Sequence, residues 1–346
     1  MSTQPRPGKG ARVAPTLEEV AARAGVSRAT ASRVLRGASN VSDDARTSVQ
    51  SAARELHYSP NRAARTLVTR RSDSIAFYVD ESQDRFFSDP FFLGVLRSTQ
   101  TGIAEAGMQL VFTVASSPED HERFVHYAAG GHVDGVLLIS LHGKDELPER
   151  LEEYGIPTVL CGRPLSKAKN LYYVDADNVG GAVTATAHLI DSGRRVVATV
   201  TGPQDMCAGQ DRLAGYLHAL AERDLPVRDE LIAEGNFTVA QGYDAMKRLI
   251  ADQPDIDGVF AASDLMALGV MRAIEASGRT VYDDIAVVGF DDIADTGTGY
   301  PGLTTVHQPT DEIGRTMADV LLRRVAGEQP TRAAVLPVEL VRRDTA

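Results

Sequence analysis

Two cysteines in 346 residues, Cys161 and Cys207, leave no disulfide framework and no zinc site to build a fold around. Both read as ordinary buried thiols of a reduced compartment. No apolar run is long enough to span a bilayer, and residues 1–15, polar and rich in Pro, Gly, Arg and Lys, lack the apolar core of a signal peptide. Missing too are a Gly-Lys-Ser/Thr phosphate loop, a Gly-x-Ser-x-Gly elbow and histidines at metal-ligand spacing; His121, His126 and His132 read as a surface patch. No nucleophile, base and orienting residue stand at workable spacing. Enzyme and membrane classes are therefore set aside, and no metal or cofactor is expected.

The charge balance excludes less than its total suggests. A net charge of −11 is wrong for a nucleic-acid binder until the chain is divided. The first 71 residues carry 13 Lys/Arg against 5 Asp/Glu, net +8, and the remaining 275 carry 23 against 42, net −19. A basic head on an acidic body confines phosphate-seeking surface to the head. The length allows two or three domains.

The head has its own grammar. Thr16 caps a first helix, Glu18 and Glu19 suit its positive end, and Leu17, Val20, Ala21 and Ala24 share one face. Gly25 breaks that helix at a turn needing φ > 0. Ser27 caps a second helix with Ala31, Val34 and Leu35 inward, and small Ala21 and Ala31 let the pair cross closely. This is helix-turn-helix spacing, whose second helix enters the DNA major groove. Arg28 stands in the first turn of that helix, where the dipole disfavours a cation, which points to an outside anion. Arg28 and Ala29 lie over base edges; Ser27, Thr30, Ser32 and Arg33 reach bases or phosphates. An Arg–guanine pair discriminates by about 1–3 kcal/mol. The bland alternative is a solvated helical hairpin with a basic face. A third helix over about 43–57, capped near Ser42, turns Val49, Ala52, Ala53 and Leu56 inward. Pro60 stops it and Asn61 caps a helix of only about two turns, too short to stand alone. It forms only when something holds it, such as a partner copy and a DNA groove.

Residues 16–27, Thr-Ala-Ser-Arg-Val-Leu at 30–35, Asn-Val-Ser at 40–42 and Ser-Pro-Asn-Arg-Ala-Ala-Arg-Thr-Leu at 59–67 resemble the lac/gal repressor family of bacterial transcription regulators. The resemblance runs from 16 to about 343; Ala31 departs from it, the family more often having Val there. It implies DNA contacts at Thr16, Asn40, Asn61, Arg62 and Ala64 as well, and a hinge helix paired with its dimer mate in the minor groove. Leu67 would wedge between two base pairs there, a cost of a few kcal/mol offset by added contacts. Packing of Leu67 on the next domain is the alternative. The implied division is a disordered tail at 1–15, a helix-turn-helix domain at 16–58, a hinge at 59–71 and an effector-binding core at 72–346.

The core reads as α/β. Apolar runs at 75–79, 110–114, 136–139 and 158–160 look like buried parallel strands, with helices beginning near Phe91, Pro118 and Asp145. A second series at 196–200, 231–233, 259–262 and 285–289 alternates with helices of its own. Two such series imply two doubly wound lobes. Runs at 303–307 and 335–341 with a helix at 311–326 close the chain. The resemblance implies the fold of type I periplasmic binding proteins. Its lobes would fall at about 72–173 with 306–335 and about 174–305 with 336–346, with crossings near 173, 305 and 336.

Ligands in such sheets sit at the carboxyl ends of strands. Reading there gives Asp89, Phe91, Phe92, Arg163, Arg212, Phe237, Asp264 and Asp291 as an effector site. Asp291 and Arg212 each suit adjacent hydroxyls, and Phe237 suits the apolar face of a pyranose; the resemblance puts those three in the family's pocket. Alternatives stay open: Asp264 and Asp177 as helix caps, Asp292 as a turn residue, Arg163 as an interlobe salt bridge, Phe91 or Phe92 as core, and Arg212 paired with Asp291 in an empty cleft. The expectation is a dimeric, cytoplasmic regulator, at the nucleoid when bound to a palindromic operator. It would be a repressor of carbohydrate genes released by a mono- or oligosaccharide. A purine-type corepressor and a sugar-binding transport module are the competing readings.

Overall fold

The computed structural model describes residues 15–35, 37, 38, 40–58, 71–115, 117–143, 146–166, 170–293 and 302–346. The chain divides into two units, Met1–Arg71 and Ser72–Ala346. The first is built on α1 (Leu17–Arg23), α2 (Arg28–Leu35) and α3 (Asp43–Glu55). Thr16 Oγ1 accepts from the Glu19 amide at 3.2 Å while the Glu19 carboxylate accepts from the Thr16 amide at 2.7 Å, a reciprocal cap that fixes where α1 starts. Gly25 takes φ +67 and turns the chain into α2. The small core is Val20, Ala21, Ala31, Val34, Val49, Ala52 and Ala53, with Leu56 half-buried at its edge.

The second unit contains β1 (Ser74–Asp80), α4 (Gln83–Ser88), α5 (Pro90–Glu105), β2 (Gln109–Ala115), α6 (Pro118–Tyr127), β3 (Gly135–Ile139), α7 (Leu147–Glu153), β4 (Thr158–Cys161) and β5 (Tyr172–Ala176). It continues with α8 (Asn178–Asp191), β6 (Val197–Thr201), α9 (Cys207–Ala221), β7 (Ile232–Glu234), α10 (Val239–Asp252), β8 (Gly258–Ala261), α11 (Asp264–Ala276) and β9 (Ala286–Asp291). Last come β10 (Thr304–His307), α12 (Thr310–Val325), β11 (Ala333–Leu336) and β12 (Glu339–Val341). One sheet has the order β11-β5-β4-β3-β1-β2, all parallel, and the other β12-β10-β9-β8-β6-β7, parallel except for β12. Buried clusters lie on both faces of each sheet, which is why β1 and β3 are apolar at nearly every position.

The boundaries differ from expectation in three places. The first sheet includes β5, which the apolar-run reading passes over, so the chain leaves that lobe at Asp177 rather than near 173. Asp177 caps α8 by accepting from the Gly180 amide at 2.9 Å. Strand β10 runs to His307 in the second sheet, and α12 packs on α5 of the first lobe, which moves the second crossing from 305 to Gln308 and Pro309. The single strand expected at 335–341 is two strands in different sheets. Pro337 between them cannot donate a ladder hydrogen bond, and the third crossing is there. The helix start expected at Asp145 lies outside the described residues; α7 begins at Leu147.

Candidate functional site

In the head, α2 buries Ala31 and Val34 and presents Arg28, Ala29 and Arg33 on its exposed side, with Ser27 exposed just before it and Thr30 and Ser32 half-buried. Ser27 Oγ accepts from the Thr30 amide at 3.1 Å and meets the Thr30 hydroxyl at 2.9 Å, which caps the helix and fixes both hydroxyls on one turn. Thr16 and Asn40 are exposed, at the start of α1 and in the loop before α3. Arg28 is not an orphan cation: its Nε lies 2.8 Å from Glu18 Oε1. Both side chains are solvent-exposed, so the pair is worth under about 1 kcal/mol and yields to a base edge or phosphate. Asn61, Arg62, Ala64 and Leu67, and the hinge they belong to, lie outside the described residues.

In the core, a cleft between the lobes encloses about 820 Å³, its mouth included. Seven of the eight expected residues line it: Asp89, Phe91, Phe92 and Arg163 from the first lobe, Arg212, Phe237 and Asp291 from the second. Asp264 does not. It opens α11 behind Ser263, which is the cap, and its buried carboxylate accepts from the Ile293 amide at 2.8 Å and from the Thr305 hydroxyl. It pins β10 and the segment after β9 from behind.

At the cleft floor Arg212, only 4% exposed, donates to Asn178 Oδ1 at 2.9 Å, to the Ala262 carbonyl at 2.5 Å and to Asp291 Oδ1 at 3.3 Å. Its guanidinium stands 3.7 Å from the centre of the Phe290 ring. Gln308 Nε2 donates to the same Asp291 oxygen at 2.6 Å. Burial raises the Asp291 carboxyl and lowers the Arg212 guanidinium, each opposed by the other's charge. Asp89 faces them from the first lobe as the cap of α5, accepting from the Phe91 amide at 3.0 Å; burial, then the Asp291 charge, pushes its carboxyl up to about 7. Phe237 (φ +62) and Asp291 (φ +119) hold left-handed backbone that bulky and branched side chains avoid, strain of the kind that gathers at binding sites. Gly202 lies so close to the Phe237 ring that any side chain there would strike it. Asp292 is more than a turn residue: it accepts from Arg343 at 2.6 Å and meets His307 Nδ1 at 3.0 Å.

The rim is clasped across the lobes. Arg163 reaches both oxygens of Asp211 at 2.6 and 2.7 Å. His142, after β3, sits between Asp205 Oδ2 at 2.9 Å and Glu81 Oε1 at 3.1 Å. Its hydrogen bond to Glu81, opposed by burial and helped by Asp205, raises it from 6.5 to about 9, so at neutral pH it is a cation donating from both nitrogens. Its contribution is complete below about 6.5 and disappears as pH rises through about 9. His142→Asn should therefore melt earlier than the wild type at pH 6.5, by on the order of 1 kcal/mol after screening, with the two curves meeting at pH 10. A gap of equal size at both pH values would rule out a protonation effect. The expected site does not include His142, Gln308, Asn178 and Arg85. The first three follow β3, β10 and β5, so the strand-end rule carried to every strand finds them; no sequence signal marks Arg85.

Comparison with known proteins places both units. Residues 16–61 match the model of bacterial regulatory proteins, lacI family, and residues 186–346 match the periplasmic binding protein-like domain. The HTH-type transcriptional regulator CelR of Thermobifida fusca is 47% identical over 334 residues, 96% of this chain and 98% of that one. The HTH-type transcriptional repressor PurR of Klebsiella pneumoniae (strain 342) is 31% identical over 316 residues, 91% of each. Among solved structures, a transcriptional regulator CelR–cellobiose complex superposes with TM-score 0.77 at 44% identity, covering 96% of this chain and 100% of that one. The lac repressor dimer bound to operator and the anti-inducer ONPF superposes with TM-score 0.83 at 27% identity, covering 96% and 98%.

Proposed function

Because the chain belongs to the lacI family of bacterial regulatory proteins, we propose that it is a dimeric transcriptional repressor released from a palindromic operator by a neutral β-linked gluco-disaccharide such as cellobiose. The observation that carries the ligand is the cleft floor. The Arg212–Asp291 pair under Phe237 offers a donor fork, a carboxylate and an apolar ring face to adjacent hydroxyls on one pyranose. Phe91 and Phe92 at the start of α5 and Phe237 on the loop after β7 line the cleft from opposite lobes, and its volume accommodates a second ring. The regulator works in the cytoplasm, without cofactor, and returns its sugar unchanged.

Binding differentially to the closed core, the sugar changes the spacing of the two first lobes in the dimer and hence of the hinges that join them to the heads. A few kcal/mol of preference between states is enough to switch occupancy. The test is fluorescence anisotropy on a self-complementary operator, where nanomolar binding with a steep salt slope is expected and cellobiose raises the apparent Kd at least tenfold. Indifference to cellobiose together with tighter binding on adding a purine would replace this reading with a corepressor. Arg28→Ala should flatten base preference at one position of each half-site, by about 1–3 kcal/mol in a mutated-operator series. Its melting temperature should barely move, because its Glu18 pair is exposed.

A further inference from the structure

Among the described residues three arginines line the cleft, and of these Arg85 is the one with a buried N–H left unused. Arg212 gives its Nε and Nη1 to Asn178, Ala262 and Asp291, which leaves Nη2 for a ligand, and Arg163 reaches Asp211. Arg85 is tethered through Nη1 to Glu81, whose carboxylate also takes the Ser140 hydroxyl at 2.7 Å, yet its Nε is buried without a partner. A guanidinium N–H removed from water and given nothing in return is costly. The group lies between two rings, 5.8 Å from the centre of Phe92 and 5.4 Å from Phe237 in the opposite lobe. Ring faces attract the cation but do not satisfy an in-plane N–H.

We propose that Arg85 is a ligand-contact and specificity residue, donating its Nε–H to a hydroxyl oxygen of the sugar bound in the cleft. The inference rests on the sugar reading above and narrows it. Arg85, Arg163 and Arg212 are each already held by a carboxylate, whereas Asp89 and Asp175 line the same cleft with no ion pair among the described residues, so a sugar phosphate or uronate would be repelled while a neutral hydroxyl is accepted. Burial raises the Asp89 and Asp175 carboxyls, as expected where no further negative charge is tolerated.

Isothermal titration of the full-length chain with cellobiose, a set of monodeoxy-cellobioses and cellobionate separates the two levels. Wild-type binding of cellobiose decides the sugar reading; absence of it fells both. Given binding, Arg85→Lys, which keeps charge and tether but lacks the Nε–H, should weaken cellobiose about 10- to 100-fold. One deoxy analogue that costs the wild type about tenfold should cost this variant nothing, and cellobionate should bind the wild type at least tenfold more weakly than cellobiose. Equal affinity in Arg85→Lys, or parallel analogue profiles, overturns the assignment. If the variant melts below the assay temperature, a crystal structure of the wild type with cellobiose decides: no sugar oxygen within about 3.2 Å of Arg85 Nε overturns it as well.

Discussion

Arg212→Met is expected to lower the stability of the ligand-free core by about 3–5 kcal/mol and to abolish the sugar response. The side chain is buried, and its removal strands three partners at once: the Asn178 amide oxygen, the Ala262 carbonyl and the Asp291 carboxylate. Gln308 still donates to Asp291, but a neutral amide does not replace a guanidinium next to a buried negative charge. Burial already raises the Asp291 carboxyl against the pull of Arg212, so without that pull it rises further and the carboxylate is a poorer acceptor for sugar hydroxyls. Removing both members removes the stranded charge: Arg212→Met with Asp291→Leu should recover much of the lost stability and none of the sugar response. Urea unfolding of the two variants against wild type reads this directly. A single-variant loss below about 1 kcal/mol would mean that the pair is solvated and that the cleft floor is not held by it.

How much of this was legible in the sequence depends on how local each determinant is. The head is local throughout. A cap at Thr16, a left-handed Gly25 and alanines at helical spacing specify three short helices whose contacts lie within about forty residues. Strands β1 and β3 are uninterrupted apolar runs because both faces of their sheet are covered. Strand β5 escaped because it carries Asp175, a residue foreign to such runs. That carboxylate is buried because it holds the amides of Arg163 and Ala176 and the side chain of Asn178. Position past a strand end marked Arg163, Phe237 and Asp291 for the cleft, since the topology fixes where those ends point. The same rule misplaced Asp264, whose backbone position fits but whose side chain turns away to Thr305 and Ile293. Arg85 is the opposite case. Nothing in periodicity or spacing marks it; its place follows from how the six-residue α4 packs and from Glu81 catching its far end.

Asp89→Asn should make the ligand-free protein more stable and its sugar binding weaker. Burial and the facing Asp291 raise Asp89 from 3.8 to about 7, so between about pH 4 and 7 the folded core holds a proton that the unfolded chain has released. Stability from this group therefore falls as pH rises through that window, and above pH 7 the whole penalty applies, on the order of 2–4 kcal/mol. Asparagine keeps the shape and still accepts from the Phe91 amide, so α5 stays capped while the charge is gone. The melting curves of variant and wild type should converge below about pH 4 and separate in the variant's favour by pH 8. Affinity moves the other way. A sugar hydroxyl donating to a carboxylate makes a charge-assisted bond that an amide oxygen does not equal, and the loss should be about tenfold or more at pH 8. Such an exchange of stability for binding is what a residue kept for recognition rather than folding is expected to show. A variant that melts below wild type at pH 8 would mean that Asp89 is a structural cap whose charge is already compensated in the empty cleft.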